Sequence, residues 1–172
     1  PTPSRAEYHR RLIVPWETAW GDARADESPH VFAIPGNHDW YDGLTAFARL
    51  FCSNVGGRHF AGWRTRQRRS YFALKLPARW WLIGSDGQLQ ADIDTPQIEY
   101  FRQVADRYMQ PGDHAIVCLA SPVWVLAHKY REFGSVLDET DLAYLRDEIF
   151  ARRGVQMSVF LAGDNPHYRR HE

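Results

Sequence analysis

Four short apolar runs do most to limit what this chain can become: "HVFAI" (30–34), "WWLIG" (80–84), "HAIVCLA" (114–120) and "MSVFLAG" (157–163). The first is continuous rather than alternating, which is how a strand covered on both faces reads, and "HAIVCLA" reads as a further buried strand. Helical patterns lie between them. "TPQIEYFRQVADRYM" (95–109) carries apolar residues at Ile98, Phe101, Val104, Ala105 and Tyr108, with Thr95 as N-cap and Pro96 at the first helical position. "DETDLAYLRDEIFARRG" reads as a second helix, capped by Asp138 and stopped by Gly154. Residues 4–20 predict one kinked or two short helices, with Ser4 as cap and Pro15 as interruption, and 44–52 predict another short helix. "SYFALKL" and "WWLIGSD", separated by Pro77 and Ala78, predict a strand pair, and "NVGGRHFAGW" a Gly-rich loop. Strands mixed with helices in this way give the α/β class.

Composition removes several function classes. With 172 residues and 44% hydrophobic content the chain suits one domain with a real core. Lys plus Arg and Asp plus Glu both number 21, so no global field recruits nucleic acid or an anionic membrane, and charge recognition must be local. No apolar run is long enough to span a bilayer, and the start does not resemble a secretory signal. Cys52 and Cys118 lie in apolar surroundings, which suits reduced core thiols and a cytoplasmic setting, with one bridge as the alternative.

The strand endings matter more than the strands. The four runs end in Pro-Gly-Asn-His-Asp, Ser-Asp-Gly-Gln, Ser-Pro-Val-Trp and Asp-Asn-Pro-His. In α/β sheets, ligands bind beyond the carboxyl ends of the strands, where loops project side chains from a rigid frame. Asn37 offers a neutral carbonyl oxygen, His38 an imidazole suited to proton transfer, and Asp39 a carboxylate able to fix an imidazole's tautomer. Mixed oxygen and imidazole donors suit Mn, Fe or Zn. The alternative is a turn in which Asn37 and Asp39 bond only to backbone amides.

"GNHDWYDGL" (36–44) resembles the Gly-Asn-His-Asp/Glu block of the calcineurin-like metallophosphoesterases, which also follows a strand. "FLAGDNPHYRRHE" (160–172) is similar to that superfamily's late block, written Gly-Asp-x-His-His-Tyr in one bacterial branch, and "SYFALKLPARWWLIGSD" resembles its sheet hairpin ending in an Asp, here Asp86. The resemblance spans 31–168 in order. It implies a two-layer β-sandwich flanked by helices, two divalent or trivalent metal ions, and hydrolysis of a phosphoester by a metal-activated water. Asn37, Asp164 and His167 would be metal ligands; His38 would act on the phosphoryl group, with Asp39 in support.

The superfamily's Asp-x-His pair and second Asp do not occur before residue 31, and "WGDARAD" (20–26) reads as linker. The resemblance therefore predicts that 1–172 is a partial domain, incomplete at its N-terminus, and inactive alone. Pro166 stands where the branch has the first His of its pair, and the middle histidine is absent after "HAIVCLA", with His128 at the wrong spacing. These departures motivate a second reading, a degenerate member that binds a ligand or partner without turnover. In "RTRQRR" (64–69), Arg64 and Arg66 are candidates to clamp a phosphate; the alternative is a solvated edge strand. The expected partner is a phosphorylated small molecule, with no clear nucleic-acid or membrane partner. An Arg-rich nucleic-acid module is the most distant reading.

Overall fold

A computed structural model describes residues 3–20, 29–53, 59–60, 62–87, 93–122 and 140–163. The chain divides into two compact units, Pro1–Tyr71 and Phe72–Glu172. Its described residues form helices and two sheets, one of three strands and one of four, so the α/β class holds.

The first unit opens with helix: α1 (Arg5–Tyr8), a π-helical stretch His9–Ile13, and α2 (Val14–Trp20). The Ser4 hydroxyl accepts the Glu7 N–H at 3.2 Å, the cap its sequence position suggested. Pro15 does not break the run. A proline ring strikes the carbonyl four residues back, here that of Arg11, and the wider π turn holding Arg11 makes room for it.

Strands β1 (His30–Val31), β2 (His59–Phe60) and β3 (Trp63–Thr65) form the three-stranded sheet in the order β1-β3-β2, with β1 parallel and β2 antiparallel to β3. The expectation of a full buried strand over 30–34 is corrected: regular pairing stops at Val31. The reason lies in Gln67, which is only 5% exposed. Its amide oxygen accepts the Ala33 N–H at 2.7 Å, and its amide nitrogen donates to the carbonyls of Ala33 at 2.8 Å and Arg69 at 2.7 Å. A side-chain amide thus replaces the neighbouring strand just where the chain turns into Pro35, which has no N–H to offer. Beyond it runs a 3₁₀ helix, Asn37–Asp42, then α3 (Thr45–Phe47) continuing as a π-helical stretch Ala48–Cys52. Phe47 and Phe51 are buried with ring centroids 4.9 Å apart, and the Tyr8 ring meets Phe51 edge-on at 6.1 Å. Those contacts dock the first helix on the third.

In the second unit, β4 (Phe72–Lys75), β5 (Trp80–Gly84), β6 (His114–Leu119) and β7 (Gln156–Ala162) lie in the order β4-β5-β6-β7. The expected β4–β5 hairpin is present and antiparallel, while β5, β6 and β7 are parallel. The hairpin turns on Ala78 and Arg79, both with positive φ (54° and 67°), the primed geometry that matches strand twist. Helix α4 (Thr95–Tyr108) supplies the crossover between β5 and β6 that parallel pairing requires. Its cap is Asp94 rather than Thr95: the Asp94 carboxylate accepts the Gln97 N–H at 3.0 Å, leaving Pro96 within the first turn, where no N–H is needed. Helix α5 (Thr140–Tyr144) runs through a π-helical stretch Leu145–Phe150 and a 3₁₀ turn Ala151–Arg153, and ends at Gly154 with φ 68°, the stop its sequence signalled. Asp138 lies outside the described residues. Ile83, Ala115 and Val117 from the sheet, Phe101 and Ala105 from α4, and Leu145, Ile149 and Phe150 from the last helix form the buried core.

Gln97 repeats in this unit what Gln67 does in the first. Its buried amide accepts the Asp86 N–H at 2.9 Å and donates to the Asp86 carbonyl at 2.7 Å, extending β5 past its last ladder partner. At the opposite end of the sheet, Asp113 is buried and accepts the Gln110 N–H at 3.0 Å, the Trp81 indole N–H at 2.9 Å and the Arg79 Nε–H at 3.1 Å. Burial alone would push its carboxyl up; these three donors outweigh burial and hold it below the usual carboxylate range.

Two outcomes follow from these buried polar groups. Gln97→Leu removes the two hydrogen bonds that Gln97 makes to the Asp86 amide and carbonyl and should cost about 2–4 kcal/mol in urea denaturation. Because the folded-state pKa of Asp113 is lowered, its stabilisation is complete above the ordinary Asp range and is lost as pH falls through the folded value. Stability measured from about pH 5 downward should fall less steeply in Asp113→Asn, which is already destabilised at neutral pH, than in wild type.

Candidate functional site

The stretch Gly36–Asp42 is the candidate site, and its own backbone bonds fix its shape. Asp39 N–H donates to the Gly36 carbonyl at 3.1 Å, and the Asp39 Oδ2 accepts the Gly36 N–H at 2.8 Å. Gly43 and Leu44, both left-handed (φ 66° and 61°), turn the chain into α3, whose Ala46 N–H is accepted by Asp42 Oδ2 at 3.1 Å. A long-range contact completes the loop: the Tyr8 hydroxyl donates to Asp39 Oδ1. Burial, and then the bond to Asp39, push the Tyr8 phenol far above its usual range, so it remains a donor.

Asp39 therefore has both oxygens engaged, one by the backbone of Gly36 and one by Tyr8, and neither by His38. Its place in the structure is that of a brace. His38 is exposed, with its ring edge-on to Tyr41 at 4.9 Å. The Asn37 amide and the His38 imidazole hydrogen-bond to none of the described residues, so the donors and acceptors of both are available to a ligand.

His38 and Asp39 also form one wall of an open cavity of about 400 Å³, whose other side is the first helix through Glu7, Tyr8, Arg11 and Leu12. The Glu7 carboxylate accepts from Arg10 at 2.9 Å and from the Arg11 Nε–H. The bond from Arg10, followed by that from Arg11, holds Glu7 below the usual carboxylate range and hence ionised.

The remaining candidates fall elsewhere. Arg64 sits on β3 opposite His30 and His59, and Arg66 donates from Nε to His30 Nε2 at 3.2 Å. Neither lines the cavity beside His38. Asp164, His167 and His128 lie outside the described residues. Among the described residues no three His, Cys, Asp or Glu side chains converge as metal ligands would, and Asn37 is the one member of the expected ligand set within them. In the second unit parallel β5 and β6 bring Ser85 and Asp86 to the same edge as Ser121, while the polar ending expected after β7, from Asp164 on, lies outside the described residues. Cys52 and Cys118 are free thiols, and burial raises the Cys118 pKa. Among the described residues no helix is long and apolar enough to cross a membrane.

Tyr8, Arg11 and Gln67 are the participants that local sequence patterns pass over. Each acts on residues about thirty positions away, or across a cavity, and no periodic signal marks such a contact. Compared with family models, with curated proteins and with solved structures, the chain finds no match.

Tyr8→Phe removes the one side-chain donor to Asp39 among the described residues and should cost about 1.5–3 kcal/mol, the scale of a hydrogen bond to a charged group. Hydrogen exchange at Gly36 and Asp39 should accelerate in the variant. The alkaline limb carries the sign: a raised folded-state pKa means stability is full below the ordinary phenol value of about 10 and is lost as pH climbs beyond it. Replacing Tyr8 by Phe should remove that loss.

Proposed function

We propose that this chain forms part of a metal-dependent phosphoester hydrolase, with the fold of the calcineurin-like metallophosphoesterases it resembles and the two-layer sandwich that resemblance implies. The observation that carries the reading is the presentation of the Asn37 and His38 side chains, unengaged by described residues, on a braced loop at the rim of a cavity. A rigid loop holding a neutral oxygen donor beside an imidazole is what a phosphoryl site requires, because catalysis there rests on positioning and charge stabilisation.

In this reading Asn37, with Asp164 and His167, would be among the ligands of the two metal ions. The ions, Mn, Fe or Zn, would lower the pKa of a bound water so that hydroxide is available near neutrality. His38 contributes at the leaving group. As water adds to phosphorus and the bond to the alcohol oxygen breaks, the imidazolium gives its proton to that oxygen, and the products are the free alcohol and phosphate. Asp39 acts indirectly: by tying Gly36 to Tyr8 it sets where the imidazole stands. No covalent enzyme intermediate is required.

Pro166 favours a second reading, since a proline cannot ligate at the place where the resemblance has a histidine. The scaffold would then bind a phosphorylated ligand or a partner without turnover. Metal content and kinetics separate the two.

His38→Ala in the metal-loaded protein containing this chain should lower turnover of a chromogenic phosphate ester by about two to four orders of magnitude while leaving the fold intact. An unchanged turnover number would remove His38 from the reaction. Turnover absent from wild type, with phosphate still bound, would favour the non-hydrolytic reading.

A further inference from the structure

The cavity beside His38 has a chemistry of its own. Tyr8 and Asp39 satisfy each other across its wall, and Glu7 is neutralised by Arg10 and Arg11. The carboxylates are thus already partnered. What remains for a ligand is donor capacity: the two terminal nitrogens of Arg11, which among the described residues donates only through Nε, and the imidazole of His38, which faces the same space. Beside these donors the lining is apolar, formed by Pro3 and Leu12. A site with donors at one end and hydrocarbon along its side selects a ligand with an acidic group on a compact apolar body. His38 is the point where the candidate phosphoryl loop and the cavity meet, so an acidic group at His38 directs its substituent along Leu12 and Pro3.

We propose that this cavity binds the organic part of the substrate, and that its lining selects phosphate monoesters of compact apolar alcohols, aryl phosphates above all. The proposal rests on the phosphoester reading for the identity of the acidic group. Arg11 holds the phosphoryl oxygens from the side opposite the loop, fixed in place by its Nε–H bond to Glu7. The helix carrying Arg11 and Leu12 is fastened to the loop through Tyr8, so the two ends of the ligand are read by elements held at a constant separation. Sugar and peptide phosphates, with polar groups near phosphorus, would leave those groups against Leu12 without partners.

Binding can be measured without turnover. In calorimetry on the whole chain with a metal chelator present, phenylphosphonate should bind about 10- to 100-fold more tightly than methylphosphonate, the range expected for burying an aromatic ring. Leu12→Asp should abolish that preference while methylphosphonate still binds. The milder Leu12→Ala should reduce it, which covers the possibility that the Asp variant disturbs the helix. Arg11→Gln should weaken both phosphonates about tenfold. Equal affinity for the two ligands, a preference unchanged in both Leu12 variants, or binding of neither would overturn the assignment. Turnover assays keep the two claims apart. Hydrolysis of phenyl and methyl phosphate at equal efficiency in Mn²⁺ would sustain the hydrolase reading and sink the cavity's role. A phosphonate preference without turnover of either ester would do the reverse.

Discussion

Backbone polar groups at the ends of short strands are the constraint from which the rest of this structure follows. A strand that stops in the interior strands an N–H and a C=O, and a buried unpaired group of that kind costs about 1–3 kcal/mol. Both units answer with a buried glutamine. Gln67 offers its amide to Ala33, and Gln97 offers its amide to Asp86, each acting as acceptor and donor to the same residue. A primary amide can do this because it carries the donor and acceptor of a peptide group on a side chain long enough to reach a neighbouring segment. The chain is thereby released from the ladder without leaving its backbone unsatisfied, and it leaves at the carboxyl end, where "PGNHD" and "SDG" begin.

The same economy shapes the loop around His38. A six-residue 3₁₀ helix is too short to be stable by itself, since its hydrogen bonds are poorer than those of an α-helix and few in number. Asp39 compensates with a carboxylate that reaches back to Gly36 and across to Tyr8. That choice divides labour between neighbours. Asp39 gives up any bond to the imidazole and supplies rigidity, and His38 keeps its ring nitrogens for a ligand. Tyr41, edge-on to the ring, restricts its rotation without taking a hydrogen bond from it.

Much of the second unit was legible in advance because its elements are long and periodic. Helix α4, the β4–β5 hairpin, the two further strands and the Gly154 stop all carry local signals, and errors there are of one or two residues, as with Asp94 displacing Thr95 as cap and β4 starting at Phe72. The first unit was harder to read. "HVFAI" has the composition of a buried strand, yet its pairing after Val31 is decided by Gln67, more than thirty positions away, within a stretch that reads as basic surface. The candidate loop itself was visible in Gly-Asn-His-Asp, but the use of Asp39 was not. Whether that carboxylate faces an imidazole or a phenol depends on where Tyr8 lands, and the helical pattern of 4–20 says only that Tyr8 lies on a face, not what that face meets. Arg64 and Arg66 were singled out for charge density, whereas the arginine at the cavity is Arg11, placed there by the docking of its helix.

Docking of the first helix is therefore the step that turns a turn motif into a candidate site. The aromatic contact of Tyr8 on Phe51 sets the distance between helix and loop, and the hydroxyl of the same ring sets their register by choosing Asp39. Apolar packing alone tolerates sliding, because dispersion is weakly directional; a hydrogen bond from a half-buried phenol to a carboxylate does not. One side chain thus supplies both terms. With the register fixed, Arg11 and Leu12, three and four residues beyond Tyr8, fall on or beside the same helical face and reach the cavity, while Glu7, one residue before, is in position to hold Arg11. Loss of the hydroxyl would leave the packing in place and free the register, so the imidazole and the guanidinium would no longer be held at one spacing.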